Sequence, residues 1–221
     1  MHWRLENLIN RLTSLDDSFR QLRWSIRSAR FPRDERGFLK LHIGCGDIAA
    51  AGFVNIDARR MSHIHIVSSN LFELRALPRK VAALVYMCHV LEHVPRAHVW
   101  KVLGEMKRVL VPGGTLRLSV PDFDLLLQIY EENERSADSI VGPLMGGQDY
   151  TFNFHYNIFT RASLTGALER AGFINVRLWS PDRCADHDFI DHSSTLIDIE
   201  GRTYPVSLNI EADVPGLKNP T

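Results

Sequence analysis

Two apolar segments, one ending in a glycine turn and the next in an acid, most strongly constrain the fold of this chain. Residues 41–46 read Leu-His-Ile-Gly-Cys-Gly, and residues 53–57 read Phe-Val-Asn-Ile-Asp. Glycine permits a tight turn and the close approach of a ligand to the backbone. A carboxylate at the end of the next strand can accept hydrogen bonds from ribose hydroxyls. The pair of segments is typical of an α/β sheet that binds a nucleoside.

Strand patterns alternate with helical patterns from residue 38 onward. The predicted strands are residues 39–43, 53–56, 63–68, 81–87, 115–120 and 174–179, and the predicted longer helices are residues 96–109, 123–135 and 161–171. This alternation predicts a doubly wound, mostly parallel α/β sheet with helices on both faces. Residues 196–199 and 206–210 are predicted to form a late hairpin. Ligands of such sheets bind at the carboxyl ends of the strands.

The chain is predicted to have three parts. Residues 38–180 form the Rossmann-like domain, and residues 181–221 form an irregular, acidic C-terminal addition packed on it. Residues 1–37 form an N-terminal helical extension, because apolar residues recur at three- and four-residue steps between residues 5 and 26. This basic helix is expected to pack on the sheet or on a second copy as a homodimer face. The alternative is weak peripheral contact with a membrane or docking on a partner.

Composition excludes several classes of protein. The chain has 26 Lys and Arg residues against 26 Asp and Glu residues, so it lacks the basic field of a general nucleic-acid binder. Its three scattered cysteines form neither a disulfide framework nor a zinc spacing. No stretch approaches the roughly 18 apolar residues that a membrane span needs. We therefore expect a soluble, cytoplasmic protein that binds no nucleic acid.

Five motifs, in order, resemble those of class I S-adenosylmethionine-dependent methyltransferases. They lie at residues 41–46, 55–57, 89–94, 111–114 and 116–122. Residues 146–155 (Gly-Gly-Gln-Asp-Tyr-Thr-Phe-Asn-Phe-His) and 207–212 are also similar to a bacterial subgroup of predicted methyltransferases associated with surface-polysaccharide synthesis. The resemblance implies S-adenosyl-L-methionine as cofactor and methyl transfer as activity.

The resemblance also implies a cofactor site at the ends of successive strands. Its residues are Gly44, Cys45, Gly46, Asp57, Asn70, Leu71, Cys88 and His89. Asp57 would bind the ribose hydroxyls through charge-assisted hydrogen bonds. Asn70 stands where the family usually has an acid, and its amide oxygen could accept from the adenine amino group.

The glycine pattern and the position of Asp57 disfavour a dinucleotide as the cofactor. The third glycine of the dinucleotide fingerprint is absent, because Asp-Ile-Ala-Ala follows Gly46. Asp57 also follows too soon, since about twenty residues usually separate such a fingerprint from its acid. The helix that connects the first two strands must therefore be shortened to one or two turns.

Methyl transfer to a hydroxyl needs a group that takes its proton, and histidine suits that role at neutral pH. His155 is the first candidate, in a polar, aromatic loop that can cover a substrate; the alternative is a histidine that orders this loop. Asp122, at the end of the fifth strand, is a candidate base or orienter. His93 is the third candidate, although Glu92 and His93 could instead position the cofactor loop.

One further cluster carries ligand-type side chains: His187, Asp188, Asp191 and His192. Imidazole and carboxylate suit a divalent metal, but a solvated acidic loop with surface histidines is the favoured interpretation, and no metal site is predicted. Trp179 and Phe189 nearby are expected in the core, with stacking on a sugar ring as the alternative.

The favoured function is methyl transfer to a small-molecule or glycan acceptor, through a hydroxyl. The alternative is a non-catalytic protein that binds S-adenosylmethionine and regulates or scaffolds polysaccharide synthesis. A nucleic-acid methyltransferase is disfavoured by the neutral charge. It is also disfavoured because residues 87–90 read Met-Cys-His-Val, where amino-methylating enzymes of this class carry an Asn/Asp-Pro-Pro-aromatic motif.

Overall fold

The structure is a computed structural model that describes Trp24 and residues 28–217. The apolar stripe predicted between residues 5 and 26 lies outside the described residues, as do the last four residues of the chain. Within the described part of the chain, no helix is both long and apolar enough to cross a membrane.

Seven of the nine strands found in the described part of the chain form the central sheet, in the order β3-β2-β1-β4-β5-β9-β6. The strands are β1 (Leu39–Ile43), β2 (Val54–Asp57), β3 (Ile66–Val67), β4 (Ala82–Cys88), β5 (Leu110–Pro121), β6 (Ile174–Leu178), β7 (Leu196–Ile199), β8 (Arg202–Pro205) and β9 (Ser207–Asp213). The α-helices that follow β4 are α1 (Val99–Val109), α2 (Phe123–Glu132), α3 (Val141–Met145) and α4 (Arg161–Arg170). Strands β1 to β5 are mutually parallel, and β9 runs antiparallel to β5 and β6. The predicted doubly wound, mostly parallel fold is confirmed.

Strand β4 shows why the sheet is buried on both faces. Val85 and Met87 point into the main core, where helices α1 and α4 also bury apolar side chains. Tyr86 points to the opposite face and joins a second cluster with Phe53 and Trp179. A strand covered on both faces must be apolar almost throughout, which explains the continuous apolar run in the sequence. Each such buried side chain contributes about 1.5–3 kcal/mol.

The connection between β1 and β2 is shorter than predicted. Residues 44–53, all of which are described, contain turns but no helix. The chain therefore passes from the glycine turn to β2 without a crossover helix, and the glycine turn and Asp57 lie at adjacent strand ends.

The predicted late hairpin is wrong in its second strand. Strand β7 pairs with β8, through a two-residue turn at Glu200 and Gly201, both with positive φ. Such a turn matches the twist of paired strands. Residues 206–210 instead belong largely to β9, which lies between β5 and β6 in the central sheet. Alternate residues of β9, including Leu208 and Ile210, are buried in the main core, and this long-range burial outweighs pairing with a local neighbour.

Candidate functional site

A cavity of about 1000 Å³ opens at the carboxyl ends of the parallel strands. Its wall includes Gly44 after β1, Asp57 at the end of β2, and His89 after β4. A loop between α3 and α4 covers one side and contributes Tyr150 and His155. The cavity lies where parallel α/β sheets bind their ligands.

The glycine turn after β1 requires glycine for two separate reasons. Gly44 and Gly46 have φ of +66° and +55°, in the left-handed region that other residues adopt at a cost. A Cβ atom added to Gly44 would also lie 2.3 Å from Cγ2 of Val90. The backbone of this turn therefore forms part of the cavity wall in place of side chains.

The carboxylate of Asp57 is held in place by backbone donors. Oδ2 accepts a hydrogen bond from the nitrogen of Gly46 at 2.9 Å, and Oδ1 accepts one from the nitrogen of Arg59 at 2.8 Å. The residue is only 8% exposed. A carboxylate offers about four acceptor positions, so Asp57 retains capacity for a ligand's hydroxyl groups.

Arg59 is a cavity residue that the sequence analysis missed. Its guanidinium Nε lies 3.4 Å from Oδ1 of Asp57, and its Cζ lies 5.7 Å from the ring centroid of Tyr150. Arg59 thus connects the acid at the end of β2 with the covering loop. Its place two residues after the acid was the available signal.

The two cysteines of the cavity wall remain thiols. Burial, reinforced by the nearby charge of Asp57, raises the pKa of Cys45 to about 12. Burial, followed by the charge of Asp191, also raises the pKa of Cys88. Since the thiolate is the reactive form, burial disfavours both side chains as nucleophiles. Both line the cavity.

Of the two residues predicted beside adenine, only Leu71 lines the cavity. Oδ1 of Asn70 accepts a hydrogen bond from the nitrogen of Phe72 at 2.9 Å, so the amide oxygen is used in a local turn. Phe72 itself lines the cavity and was not predicted. A contact of Asn70 with adenine stays a prediction.

His89 lies after β4 with φ of +51° and lines the cavity. Its Nε2 lies 2.8 Å from Oγ of Ser207, and that hydroxyl donates its own proton to the carbonyl of His192 at 2.7 Å. The hydroxyl can therefore only accept from His89, which must carry a proton on Nε2. The Nδ1 atom of His89 lies 3.3 Å from Oε1 of Glu92.

Three side chains that could bind a metal ion converge beside His89: Glu92, His93 and His155. One ligand atom from each lies within 4.8 Å of the other two. The rings of His93 and His155 are 4.7 Å apart, edge to face. Burial alone would raise the pKa of Glu92. The interactions of its carboxylate with His89 and His93 are stronger than this effect, so the pKa is lowered.

The two ring nitrogens of His155 have different roles in the structure. Nδ1 lies 2.9 Å from the carbonyl oxygen of Pro143, so it donates a hydrogen bond that orders the covering loop. Nε2 then keeps its lone pair. Burial lowers the pKa of His155, which favours the neutral ring at neutral pH. The two alternatives for this residue, loop ordering and chemistry, therefore use different atoms.

Asp122 does not line the cavity with the two histidines. It precedes α2 as the N-cap, where its side chain accepts a hydrogen bond from the nitrogen of Asp124 at 3.0 Å. Burial raises the pKa of Asp122. The geometry assigns it a helix-capping role, and a role in chemistry stays a prediction.

The 187–192 cluster does not converge on one point, and the expected solvated loop with surface histidines is wrong for two of its members, because the side chains of His187 and Asp191 are 2% and 4% exposed. Asp191 accepts hydrogen bonds from Tyr86 at 2.5 Å and from the nitrogen of Ser193 at 2.9 Å, so its carboxylate is used in packing. Nε2 of His187 lies 3.8 Å from Oδ1 of Asp191. Nearby, Trp179 is buried and donates to the carbonyl of Leu118 at 2.9 Å, as expected for a core residue.

His42, in the middle of β1, is another cavity residue that the sequence analysis missed. Its ring is buried, stacks on Phe189 with centroids 5.5 Å apart, and lines the cavity. Burial lowers its pKa to about 4. The available signal was a polar residue inside the apolar run of β1.

A family model described as a methyltransferase domain matches residues 18–178. Several solved structures share the fold. One is described as a SAM-dependent methyltransferase from Archaeoglobus fulgidus, at 16% identity and a TM-score of 0.50, covering 88% of this chain and 94% of that one. A second, from Methanosarcina mazei and described in the same way, has 18% identity and a TM-score of 0.50, covering 80% and 92%.

A third solved structure is a complex of the Haloferax volcanii Trm112 methyltransferase activator with a methyltransferase. It has 14% identity and a TM-score of 0.50, and the match covers 89% of this chain and 90% of that one. No protein of curated function matches the sequence. At these identities the structural likeness shows a shared fold.

Proposed function

The chain belongs to the methyltransferase-domain family, and we propose that it transfers a methyl group from S-adenosylmethionine to a hydroxyl group of a small molecule or glycan. The observation that carries the proposal is the layout of the cavity. The glycine turn and Asp57 lie on its wall at the ends of β1 and β2, and the imidazoles of His93 and His155 lie on it after β4 and in the covering loop. Cofactor and acceptor can therefore meet in one cavity.

The residues present fit S-adenosylmethionine. Gly44 and Gly46 line the cavity without side chains, so a ligand can approach the backbone of the turn. Asp57 is fixed by backbone donors with acceptor positions left for ribose hydroxyls. Leu71 and Phe72 supply apolar wall for a base. At about 1000 Å³ the cavity is at the upper end of the range for small-molecule sites, which leaves room for an acceptor.

Two imidazoles can serve the acceptor hydroxyl. When bound, the sulfonium supplies an electrophilic methyl group and keeps the electron pair of the broken bond as a thioether. The acceptor oxygen must lose its proton as it bonds to the methyl carbon. The unprotonated Nε2 of His155, or that of His93, can take this proton, since both rings already donate through Nδ1 to backbone carbonyls.

The covering loop supports a glycan as the acceptor class. Tyr150 and Phe152 line the cavity and yet are 45% and 48% exposed, so both aromatic side chains are accessible from solvent. Asn153 adds a polar group beside them. Aromatic faces next to polar groups suit the apolar face and hydroxyls of a sugar ring. We include in this proposal that the protein acts in the cytoplasm, in the synthesis of surface polysaccharides.

The test is calorimetric titration with S-adenosylhomocysteine, followed by a radiolabelled methyl-transfer screen with nucleotide sugars and glycans. Asp57→Asn should weaken binding about 10- to 100-fold, because hydrogen bonds to a charged group contribute roughly 1.5–3 kcal/mol. Asp138→Asn, at an exposed position outside the cavity, is the matched control. Binding without transfer to any acceptor would favour the non-catalytic alternative, and no binding would refute the proposal.

A further inference from the structure

We propose that Glu92, His93 and His155 bind a divalent transition-metal ion, of the Zn²⁺ class, at the edge of the cavity. The role we assign to the ion, binding and acidifying the acceptor hydroxyl, rests on the proposed function. The binding of the ion does not depend on it. The sequence pattern predicts no metal site, because neither the burial of Glu92 nor its proximity to His155 can be read from the sequence.

The burial of the Glu92 carboxylate is the first evidence for a metal site. The residue is 0% exposed, and neither Oε1 nor Oε2 has a hydrogen-bond partner among the described residues. Nδ1 of His89 lies 3.3 Å from Oε1 and forms an ion pair with it only when that imidazole is protonated. A buried carboxylate left without hydrogen bonds is costly. A bound cation would satisfy both its charge and its lone pairs.

The orientation of the two imidazoles is the second observation. Nδ1 of His93 lies 3.1 Å from the carbonyl of Phe154, and Nδ1 of His155 lies 2.9 Å from the carbonyl of Pro143. A carbonyl oxygen can only accept, so both Nδ1 atoms carry the proton and both Nε2 atoms carry a lone pair. Metal-binding histidines show this arrangement, in which a backbone carbonyl fixes the tautomer and the ring.

The ligand set suits a transition metal that keeps open positions. Two imidazoles and one carboxylate match zinc and similar divalent ions better than magnesium or calcium, which prefer oxygen ligands. The ligand atoms lie within 4.8 Å of one another. Around a bound zinc they would be about 3–3.5 Å apart. The three side chains would therefore approach one another by up to about 1.5 Å on binding the ion.

The ion would change how the hydroxyl is activated. A hydroxyl bound to a divalent cation loses its proton more readily, so the proton can leave to solvent while the oxygen stays on the ion. The imidazoles of His93 and His155 then hold the ion instead of taking the proton. His93 and His155 line the cavity, so an ion held between them would reach the space that the acceptor occupies.

The experiment uses the full chain after treatment with a chelator. Zn²⁺ is titrated by calorimetry, and Co²⁺ is titrated while its visible absorption is recorded. We expect one equivalent to bind to the unmodified protein. Affinity should fall at least tenfold in Glu92→Gln and in His155→Gln. The matched control is His98→Gln, because His98 lies outside the cavity and outside this cluster.

S-adenosylhomocysteine binding by the same preparations separates the two proposals. Cofactor binding without a stoichiometric Zn²⁺ site, or equal Zn²⁺ affinity in His155→Gln and the unmodified protein, would overturn the metal site alone. Zn²⁺ binding without cofactor binding would leave the metal site and overturn the proposed function. His155→Gln keeps the proposal testable if Glu92→Gln does not fold, which circular dichroism would show.

Discussion

Oδ2 of Asp57 accepts a hydrogen bond of 2.9 Å from the backbone nitrogen of Gly46. The bond joins the ends of β1 and β2, so the position of the acid and the shape of the glycine turn depend on each other. The absence of a helix from residues 44–53 brings these two strand ends together over a short loop. A change in the turn should therefore affect ligand binding and stability together.

Gly44→Ala should destabilise the protein by about 2–5 kcal/mol and abolish cofactor binding. A left-handed conformation costs alanine roughly 1–2 kcal/mol, and overpacking against Val90 adds about 1–3 kcal/mol. Urea unfolding and titration with S-adenosylhomocysteine would measure both effects.

Gly37→Ala is the matched control for Gly44→Ala. It also has a positive φ, of +83°, but a Cβ there would meet nothing within 4 Å, so only the conformational cost should remain. Adding Val90→Ala to Gly44→Ala should relieve the collision. Equal losses in the Gly37 and Gly44 variants would contradict the close contact.

Acid should destabilise the protein through His42 between pH 6.5 and about 4. Burial lowers the pKa of His42 to about 4 from its ordinary 6.5, so the unfolded chain binds a proton in this range while the folded protein does not. Stability is therefore full above pH 6.5 and falls as the pH decreases. The difference between these two pKa values corresponds to about 3 kcal/mol in the free energy of unfolding.

Urea denaturation between pH 4 and 7.5 measures this effect. His42→Leu should flatten the dependence without removing it, because burial also lowers the pKa of His155 and His187. His98→Asn, at a partly exposed position, should keep the full slope. An unchanged slope in His42→Leu would show that another group titrates.

Asp122→Ala should lower stability by about 1 kcal/mol and leave the turnover number nearly unchanged. The side chain caps α2 through the nitrogen of Asp124, and loss of an N-cap usually costs about this much. Asp122→Ser should restore the cap. A large loss of kcat in Asp122→Ser, with stability preserved, would instead support the predicted role in chemistry.

Tyr150→Ala should raise the acceptor KM about two- to fivefold. The Arg59 guanidinium lies over the ring, 5.7 Å from its centroid, and this contact of roughly 0.5–1 kcal/mol at an exposed site helps to hold the ring on the cavity wall; Tyr150→Phe should retain it. Phe154→Ala, in the same loop but not on the cavity wall, is the control. If Tyr150→Phe behaved like Tyr150→Ala, the hydroxyl rather than the ring would matter.

The sequence by itself determined the sheet and the side of it that carries the cavity. Apolar runs identify β1, β2 and β4 locally, and parallel strands must place their following loops at one edge. Gly44, Asp57 and His89 therefore had to lie close together. The N-terminal helix and the division into three parts stay predictions.

Only the tertiary structure decided which partner each polar side chain takes. The amide of Asn70 and the carboxylate of Asp122 accept from nearby backbone nitrogens, while Glu92 is left buried beside a histidine of the covering loop. Likewise β9 joins the central sheet instead of a local hairpin. The physical reason is that burial and hydrogen-bond partners depend on segments far apart in the chain, whereas periodicity and turn chemistry report only on neighbours.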